Sequence, residues 1–190
     1  ETLRTAMARA VADVDRLPHS AVLLGIEPGV FDPDYGWIEP GPPLGEGLNS
    51  VAHFVEKPGR DAALDLACRG GVWNSFIIAA RVDRLLELYR RLEPQLVALV
   101  RAVNGPVDLS PHEVLEGYQM LPTVDLSRDL LQRAPESLAV RMVPPCGWCD
   151  LGTADRVARC AHLVPPRGRR PPRSMPLRPV LTEAVLARLT

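Results

Sequence analysis

The sequence lacks the features that mark membrane, secreted and nucleic-acid-binding proteins. No apolar run approaches the roughly 20 residues that a membrane-spanning helix needs. Glu1 leads directly into a helical pattern rather than into the basic and apolar leader of a signal peptide. Four cysteines among 190 residues are too few for a disulfide framework, and a net charge of −1 disfavours a polyanionic partner. We therefore expect a cytoplasmic protein that binds neither membranes nor nucleic acid.

The positive charge that is present is concentrated near the C-terminus. Residues 165–179 contain five arginines, six prolines and no acidic residue. This composition predicts an extended, solvated linker over 164–180, followed by a further helix or tail over 181–190. The alternative is a basic arm that binds nucleic acid. That alternative predicts salt-sensitive binding that is lost when residues 165–179 are deleted, and we expect none.

Helical and strand patterns alternate over residues 1–163. Apolar residues at helical spacing predict a helix from Leu3 to Pro18, with Asp13 among the polar residues of its opposite face. The apolar run 21–26 is typical of a strand covered on both sides, and a helix followed by such a strand indicates a mainly parallel α/β sheet. Residues 28–47, rich in proline and glycine, are predicted to be mostly loop. Further strands are predicted at 51–55, 76–80 and 138–143, and further helices at 61–69, 82–89, 96–103, 126–134 and 153–162.

Polar side chains stand at the ends of two neighbouring predicted strands, where open α/β sheets hold ligands. Glu56 and Lys57 follow the strand 51–55, and Asn74 precedes the next strand. Regular alternation would send Glu56 and Lys57 to opposite faces, so both can serve one site only if the strand ends or bulges there. Pro58 favours an ending because it cannot donate to a strand ladder. The alternative is an ordinary solvated strand end.

Two other positions have both a functional and a structural interpretation. Gly36 lies in a strand-like YGWI segment, where a glycine indicates close approach of a ligand or backbone, or simply a turn. Asp150 lies between a predicted strand and a helix that Thr153 would cap. It is placed to hold a divalent cation, or to serve as a helix-start acid that the helix dipole stabilises.

Six segments, taken in order, resemble the sugar-1-phosphate nucleotidyltransferases, and most closely the bacterial mannose-1-phosphate guanylyltransferase type. They are LGIEP (24–28), DYGWIEPG (34–41), VAHFVEKP (51–58), GGVWNS (70–75), LPTVDLSRDLL (121–131) and WCDLGTADR (148–156). The resemblance covers about residues 3 to 163. It implies a Rossmann-like α/β nucleotidyltransferase fold of the GT-A type, with a mostly parallel sheet flanked by helices and with the N-terminal strands missing. Residues 1–163 would form the sugar-phosphate-binding part of that domain.

The resemblance also implies roles for individual residues. Glu56 would bind sugar hydroxyls, Lys57 the phosphate of the sugar phosphate, and Asp150 a catalytic Mg2+. The implied reaction transfers a nucleotidyl group from a nucleoside triphosphate, GTP, to mannose 1-phosphate and releases pyrophosphate. A homo-oligomer is one option for the assembly. The implied substrate-binding residues are Tyr35, Gly36, Glu56, Lys57 and Asn74, and the implied catalytic residues are Lys57 and Asp150.

The sequence departs from the family pattern in two places. Phe76 occupies the position of the glycine in the family's WNSG element, where a ring would narrow or reshape the sugar pocket. No G-x-G-x-x-R loop, which in the family cradles the nucleotide, occurs in the sequence. The chain therefore resembles the acceptor half of an active site without its donor half, and a single aspartate makes a poor magnesium site. The alternative function is a noncatalytic relative that binds a sugar phosphate or a partner protein.

A C-x-x-C motif, Cys146 and Cys149, raises a separate alternative. With Cys160 and His162 it would supply four zinc ligands, and on its own it would suggest redox chemistry. Cys160 and His162 are two residues apart on a predicted helix, so they face different directions. The default interpretation is therefore four buried or incidental thiols.

Overall fold

A computed structural model of the chain describes residues 2–29, 31–105 and 109–161. The chain divides into two units, Glu1–Trp148 and Cys149–Thr190. The predicted linker 164–180 and tail 181–190 lie outside the described residues, as does His162.

Most of the predicted helices and strands of the first unit are present. The predicted bounds of the first and last strands are confirmed, and none of the described helices is long and apolar enough to cross a membrane. A π-helical turn (Leu126–Leu131) and a 3-10 turn (Pro135–Ser137) precede the last strand. The helices are α1 (Thr2–Arg16), α2 (Arg60–Cys68), α3 (Val82–Leu92), α4 (Pro94–Val103), α5 (Pro111–Gln119) and, in the second unit, α6 (Ala154–Ala161). The strands are β1 (Ala21–Ile26), β2 (Trp37–Gly45), β3 (Leu48–Val55), β4 (Val72–Ala79) and β5 (Leu138–Val143).

The five strands form one sheet that closes on itself in the order β1–β4–β2–β3–β5, because β5 pairs with both β3 and β1. The expectation of a sheet flanked by helices is confirmed. The expected parallel pairing, however, occurs only between β1 and β5 among the described residues, and the other pairs are antiparallel. The β2–β3 connection gives one physical reason. It is the two-residue turn Glu46-Gly47, with φ +62° at Gly47, and so short a turn can only reverse the chain.

Strand β2 corrects the prediction of a mostly loop segment over 28–47. It pairs with β4 only at its first two residues, so the rest of that edge has no ladder with any described strand and tolerates proline. Its pairing with β3 shifts register around Pro40 and Pro43. Side chains of β3 supply hydrogen bonds there, since Asn49 Nδ2 donates to the Gly41 carbonyl over 2.9 Å. The proline-rich composition that predicted a loop is thus accommodated in an irregular strand.

A buried ion pair fixes α1 to the sheet. Asp13 and Arg141 are 3% and 6% exposed; Asp13 Oδ2 accepts a hydrogen bond from Nε of Arg141 and forms an ion pair with its Nη2. Arg141 Nη1 also donates to the carbonyl of Glu46, in the β2–β3 turn, over 3.1 Å. The helical spacing predicts that Asp13 lies on a solvated helix face, and this prediction is wrong, because Asp13 is buried in the ion pair. The pair connects α1, β5 and the β2–β3 turn.

Candidate functional site

Three of the predicted site residues converge in the first unit. Gly36 immediately precedes β2, Glu56 immediately follows β3, and Asn74 lies on β4. A Cβ atom added at Gly36 would lie 2.8 Å from Glu56 Oε2 and 3.3 Å from Asn74 Cβ. The Asn74 N–H donates to the Gly36 carbonyl over 2.7 Å. The structure therefore brings a carboxylate and an amide together over a bare stretch of backbone.

Close approach explains the glycine at position 36. Its φ does not fall in the left-handed region, so the backbone alone does not require glycine there. The space does require it, because any side chain would press on the Glu56 carboxylate. Of the two interpretations of Gly36, the structure favours close approach over a simple turn.

Glu56 and Lys57 lie where β3 has ended, as Pro58 indicates. The strand stops at Val55, and Lys57 adopts φ +47°, so the alternation of the strand does not continue through the pair. The Glu56 N–H donates to Gln132 Oε1 over 2.9 Å, while none of the described residues donates a hydrogen bond to the Glu56 carboxylate. Lys57 is exposed and forms no ion pair within the described residues. An acceptor and a cation are thus available to a ligand.

The Asn74 side chain is oriented by the strand that carries it. It is 7% exposed, and its Oδ1 accepts from the Phe76 N–H over 3.1 Å. Because an N–H must point at the oxygen, this hydrogen bond fixes which end of the amide is Nδ2. Nδ2 lies 3.6 Å from the Cβ position at Gly36. A donor therefore stands on the same side of the cluster as the Glu56 carboxylate.

Aromatic rings support this cluster. Tyr35 is 6% exposed, and its ring centroid lies 4.6 Å from Trp73 and 5.5 Å from Trp148. The ring of Tyr35 is therefore part of the core, and its substrate-binding role stays a prediction. The indole N–H of Trp73, next to Asn74 in β4, is buried and has no hydrogen-bond partner within the described residues. Such an unsatisfied donor costs about 1–3 kcal/mol.

Two supporting residues were not predicted from the sequence. Gln132 lies 76 positions from the Glu56 backbone that it binds, and nothing in its local pattern marks it. Ser75 donates from Oγ to the Leu24 carbonyl over 2.7 Å and accepts from the Ile77 N–H over 3.2 Å. Its signal in the sequence is only its place in the WNS segment. Both residues hold the backbone on which the site side chains depend.

Asp150 belongs to the second unit and is already paired there. Arg156 Nη1 donates to both of its carboxylate oxygens, at 3.1 and 2.9 Å, and Oδ1 also accepts from the Gly152 N–H over 3.0 Å. The predicted cap is confirmed, since Thr153 Oγ1 accepts from the Arg156 N–H over 3.2 Å. Within this unit the acid therefore organises the start of α6.

The donor set around Asp150 decides whether it suits a magnesium ion. The described residues contain no group of three or more His, Cys, Asp or Glu side chains that could hold a metal ion. One carboxylate neutralised by a guanidinium offers little to a cation that needs six oxygen ligands. The described residues therefore do not by themselves fit Mg2+, and magnesium binding by Asp150 stays a prediction. Cys68 and Cys146 are free thiols.

Comparison with known protein sequences identifies relatives over most of the chain. A family model described as "Nucleotidyl transferase" matches residues 2–164. The mannose-1-phosphate guanylyltransferase ManC of Salmonella typhimurium is 27% identical over 164 residues, which cover 80% of this chain and 33% of that protein. The alginate biosynthesis protein AlgA of Pseudomonas fluorescens is 31% identical over 156 residues, covering 80% and 32%. The chain thus spans about a third of the length of the curated relatives it matches.

Solved structures give the same result for the fold. A Thermus thermophilus protein titled mannose-1-phosphate geranyltransferase superposes with a TM-score of 0.62 at 27% identity, over 75% of this chain and 40% of that chain. A Helicobacter pylori protein titled mannose-6-phosphate isomerase superposes with a TM-score of 0.60 at 17% identity, over 75% and 56%, and shows the fold alone. The nucleotidyltransferase type of α/β fold expected from the sequence segments is confirmed.

Proposed function

Because the chain belongs to the nucleotidyl transferase family, we propose that it binds the acceptor in nucleotidyl transfer from GTP to mannose 1-phosphate. Several relatives are named mannose-1-phosphate guanylyltransferases, which motivates this choice of sugar and base. In the reaction a phosphate oxygen of mannose 1-phosphate attacks the α-phosphorus of GTP. The bond between the α-phosphorus and its bridging oxygen to the β-phosphate breaks, and pyrophosphate leaves.

The observation that carries the proposal is the convergence of Gly36, Glu56 and Asn74, with Lys57 following Glu56 in the chain. A sugar phosphate presents hydroxyl groups and an anion. The Glu56 carboxylate, to which no described residue donates, can accept hydrogen bonds from hydroxyls, and the Asn74 Nδ2 can donate to them. The bare backbone at Gly36 lets a sugar ring approach closely.

The composition of the chain supports a phosphate-binding role for Lys57. It is the only lysine in the sequence, beside 21 arginines. Arginine is a planar fork suited to bidentate partners, whereas lysine is a compact point charge with three donors. A chain that otherwise uses arginine has its single lysine immediately after Glu56, exposed and without an ion pair within the described residues. The phosphate of a sugar phosphate would be a suitable anionic partner for the Lys57 ammonium group.

These residues act by positioning and by neutralising charge. Both substrates are anions, so bringing them together requires a cation on the acceptor phosphate, which Lys57 supplies. Glu56 and Asn74 hold the sugar so that its phosphate is directed at the nucleotide. This positioning makes the reaction between two bound substrates effectively unimolecular.

A turnover screen tests the reaction. The full-length protein is mixed with each of four nucleoside triphosphates and with mannose, glucose or galactose 1-phosphate, and pyrophosphate release is measured. We expect the highest turnover with GTP and mannose 1-phosphate, and at least a ~10²-fold loss for Glu56→Ala. The control is Glu116→Ala, which replaces an exposed glutamate on α5. No turnover with any pair, together with intact binding of mannose 1-phosphate, would favour the noncatalytic alternative.

The single lysine permits a second, independent test. An amine-reactive reagent modifies Lys57, and mass spectrometry of the peptide that contains it measures the extent. Mannose 1-phosphate should slow this modification, and free mannose, which carries no phosphate, should not. Equal modification with and without mannose 1-phosphate would contradict the role of Lys57.

A further inference from the structure

Phe76 adopts a conformation that a bulky residue normally avoids. Its φ is +59°, in the left-handed region that favours glycine, and the residue is 61% exposed. Lys57 and Leu151 are the other non-glycine residues with positive φ among the described residues, and neither is aromatic. The protein thus keeps a strained backbone and an exposed ring at one position. Strain of this kind persists only where the surrounding structure imposes it.

A β-bulge imposes this conformation. Asn74 pairs with Gly25 and Ile78 pairs with Leu23, so three residues of β4 stand opposite Leu24 alone. Hydrogen bonds hold the bulge on both sides of the ring. Asn74 Oδ1 accepts from the Phe76 N–H over 3.1 Å, and Ser75 Oγ bonds both the Leu24 carbonyl and the Ile77 N–H. Bulges redirect side chains and are common beside active sites.

The bulge adjoins the candidate site. Phe76 is joined by one hydrogen bond to Asn74, whose Cβ lies 3.3 Å from the Cβ position at Gly36. The Glu56 carboxylate lies 2.8 Å from that same position. An exposed aromatic residue whose backbone binds the Asn74 amide is a combination that suits a sugar, because a hexose has C–H faces as well as hydroxyl groups.

We propose that Phe76 is a specificity-determining residue, whose ring packs against the apolar face of the hexose in the bound sugar phosphate. The inference rests on the proposed function, since it assumes that the site takes a sugar phosphate. The ring replaces the backbone contact that a glycine would offer with an apolar contact. It therefore favours ligands that carry a sugar ring over phosphate alone.

Calorimetric titration of the full-length protein with mannose 1-phosphate tests this role. Phe76→Gly and Phe76→Asn both remove the ring and both tolerate positive φ, while Phe76→Tyr keeps the ring. We expect about tenfold weaker binding for the first two variants and binding within about twofold of the parent for Phe76→Tyr. The affinity for inorganic phosphate, which has no sugar ring, should not change. The midpoint of thermal unfolding should not fall, because relief of the strained φ offsets the added chain flexibility.

The outcomes separate this inference from the proposed function. Equal or tighter binding of mannose 1-phosphate by Phe76→Gly and Phe76→Asn would mean that the ring crowds the sugar, and would overturn the inference. If Glu56→Ala weakens binding in the same series, the proposed function survives that result. If the parent protein binds no hexose 1-phosphate, both fail together. Equal losses for mannose 1-phosphate and inorganic phosphate would also overturn the inference, because they indicate general damage to the site.

Discussion

Replacing Gly36 by alanine tests the geometry of the site most directly. The added Cβ would lie 2.8 Å from Glu56 Oε2, whereas ordinary van der Waals contact begins at 3.4 Å. The carboxylate must therefore retreat by about 0.6 Å or rotate away. The Asn74 Cβ, at 3.3 Å, needs to move by only about a tenth of an ångström. The substitution thus displaces the one group that is proposed to accept from the sugar.

The expected loss is in function rather than in stability. A misplacement approaching 1 Å can cost about 10²-fold in rate, so we expect turnover to fall by about 10- to 100-fold. The free energy of unfolding should change by less than about 1 kcal/mol, because the obstructing atom is the end of a flexible side chain. Gly29→Ala is the matched control, since no atom lies within 4 Å of its Cβ position and its φ is not positive.

A double substitution shows whether Gly36 acts through Glu56. The assay is pyrophosphate release by the full-length protein, with unfolding in urea measured in parallel. In a Glu56→Ala background there is no carboxylate to displace, so Gly36→Ala should cause little further loss, and the two effects should not add. Turnover of Gly36→Ala within twofold of the parent would refute the reasoning. An undiminished loss in the Glu56→Ala background would also refute it.

Three further predictions concern other parts of the chain. Arg141→Met removes the close partner of the buried Asp13 carboxylate and leaves only the mostly exposed Arg16, at 3.9 Å, so it should cost about 3 kcal/mol in urea unfolding. Adding Asp13→Leu should recover most of this loss, and a cost below about 1 kcal/mol would contradict the reasoning. Asp150→Ala should lower nucleotide-sugar formation at least ~10²-fold, and unchanged activity would remove its predicted metal role. Hydrogen bonds from the side chain and backbone of Ser110 lower the pKa of Glu113. The stability that the Glu113 carboxylate contributes is present above its pKa in the unfolded chain and is lost as the pH falls through its lower pKa in the folded protein. Glu113→Gln should therefore flatten the acid side of a curve of unfolding free energy against pH. Superimposable curves for the parent and Glu113→Gln would contradict this.

Local patterns in the sequence predicted most of the elements, and the exceptions have physical causes. The apolar runs at β1 and β5 and the helical spacing of α1 and α3 depend on neighbouring residues only, so they could be read correctly. Strand β2 was missed because its prolines are tolerated only along an edge that β4 leaves unpaired. The direction of strand pairing was also missed, since helix-and-strand order does not determine it when connections are short.

The sequence by itself determined which side chains are available at the site. Glu56 and Lys57 were identified from their place at a strand end, and the family followed from segments in order. Asn74 was identified as preceding a strand at 76–80, which was wrong about the strand, because β4 begins at Val72 and includes Asn74. Tertiary structure alone decided that Gly36 lies against Glu56 and Asn74, that Gln132 holds the Glu56 backbone, and that Phe76 stands strained in a bulge. Periodicity and turn chemistry act over a few residues, whereas these contacts join positions up to 76 residues apart. Such contacts depend on strand register and packing, which the whole chain sets together.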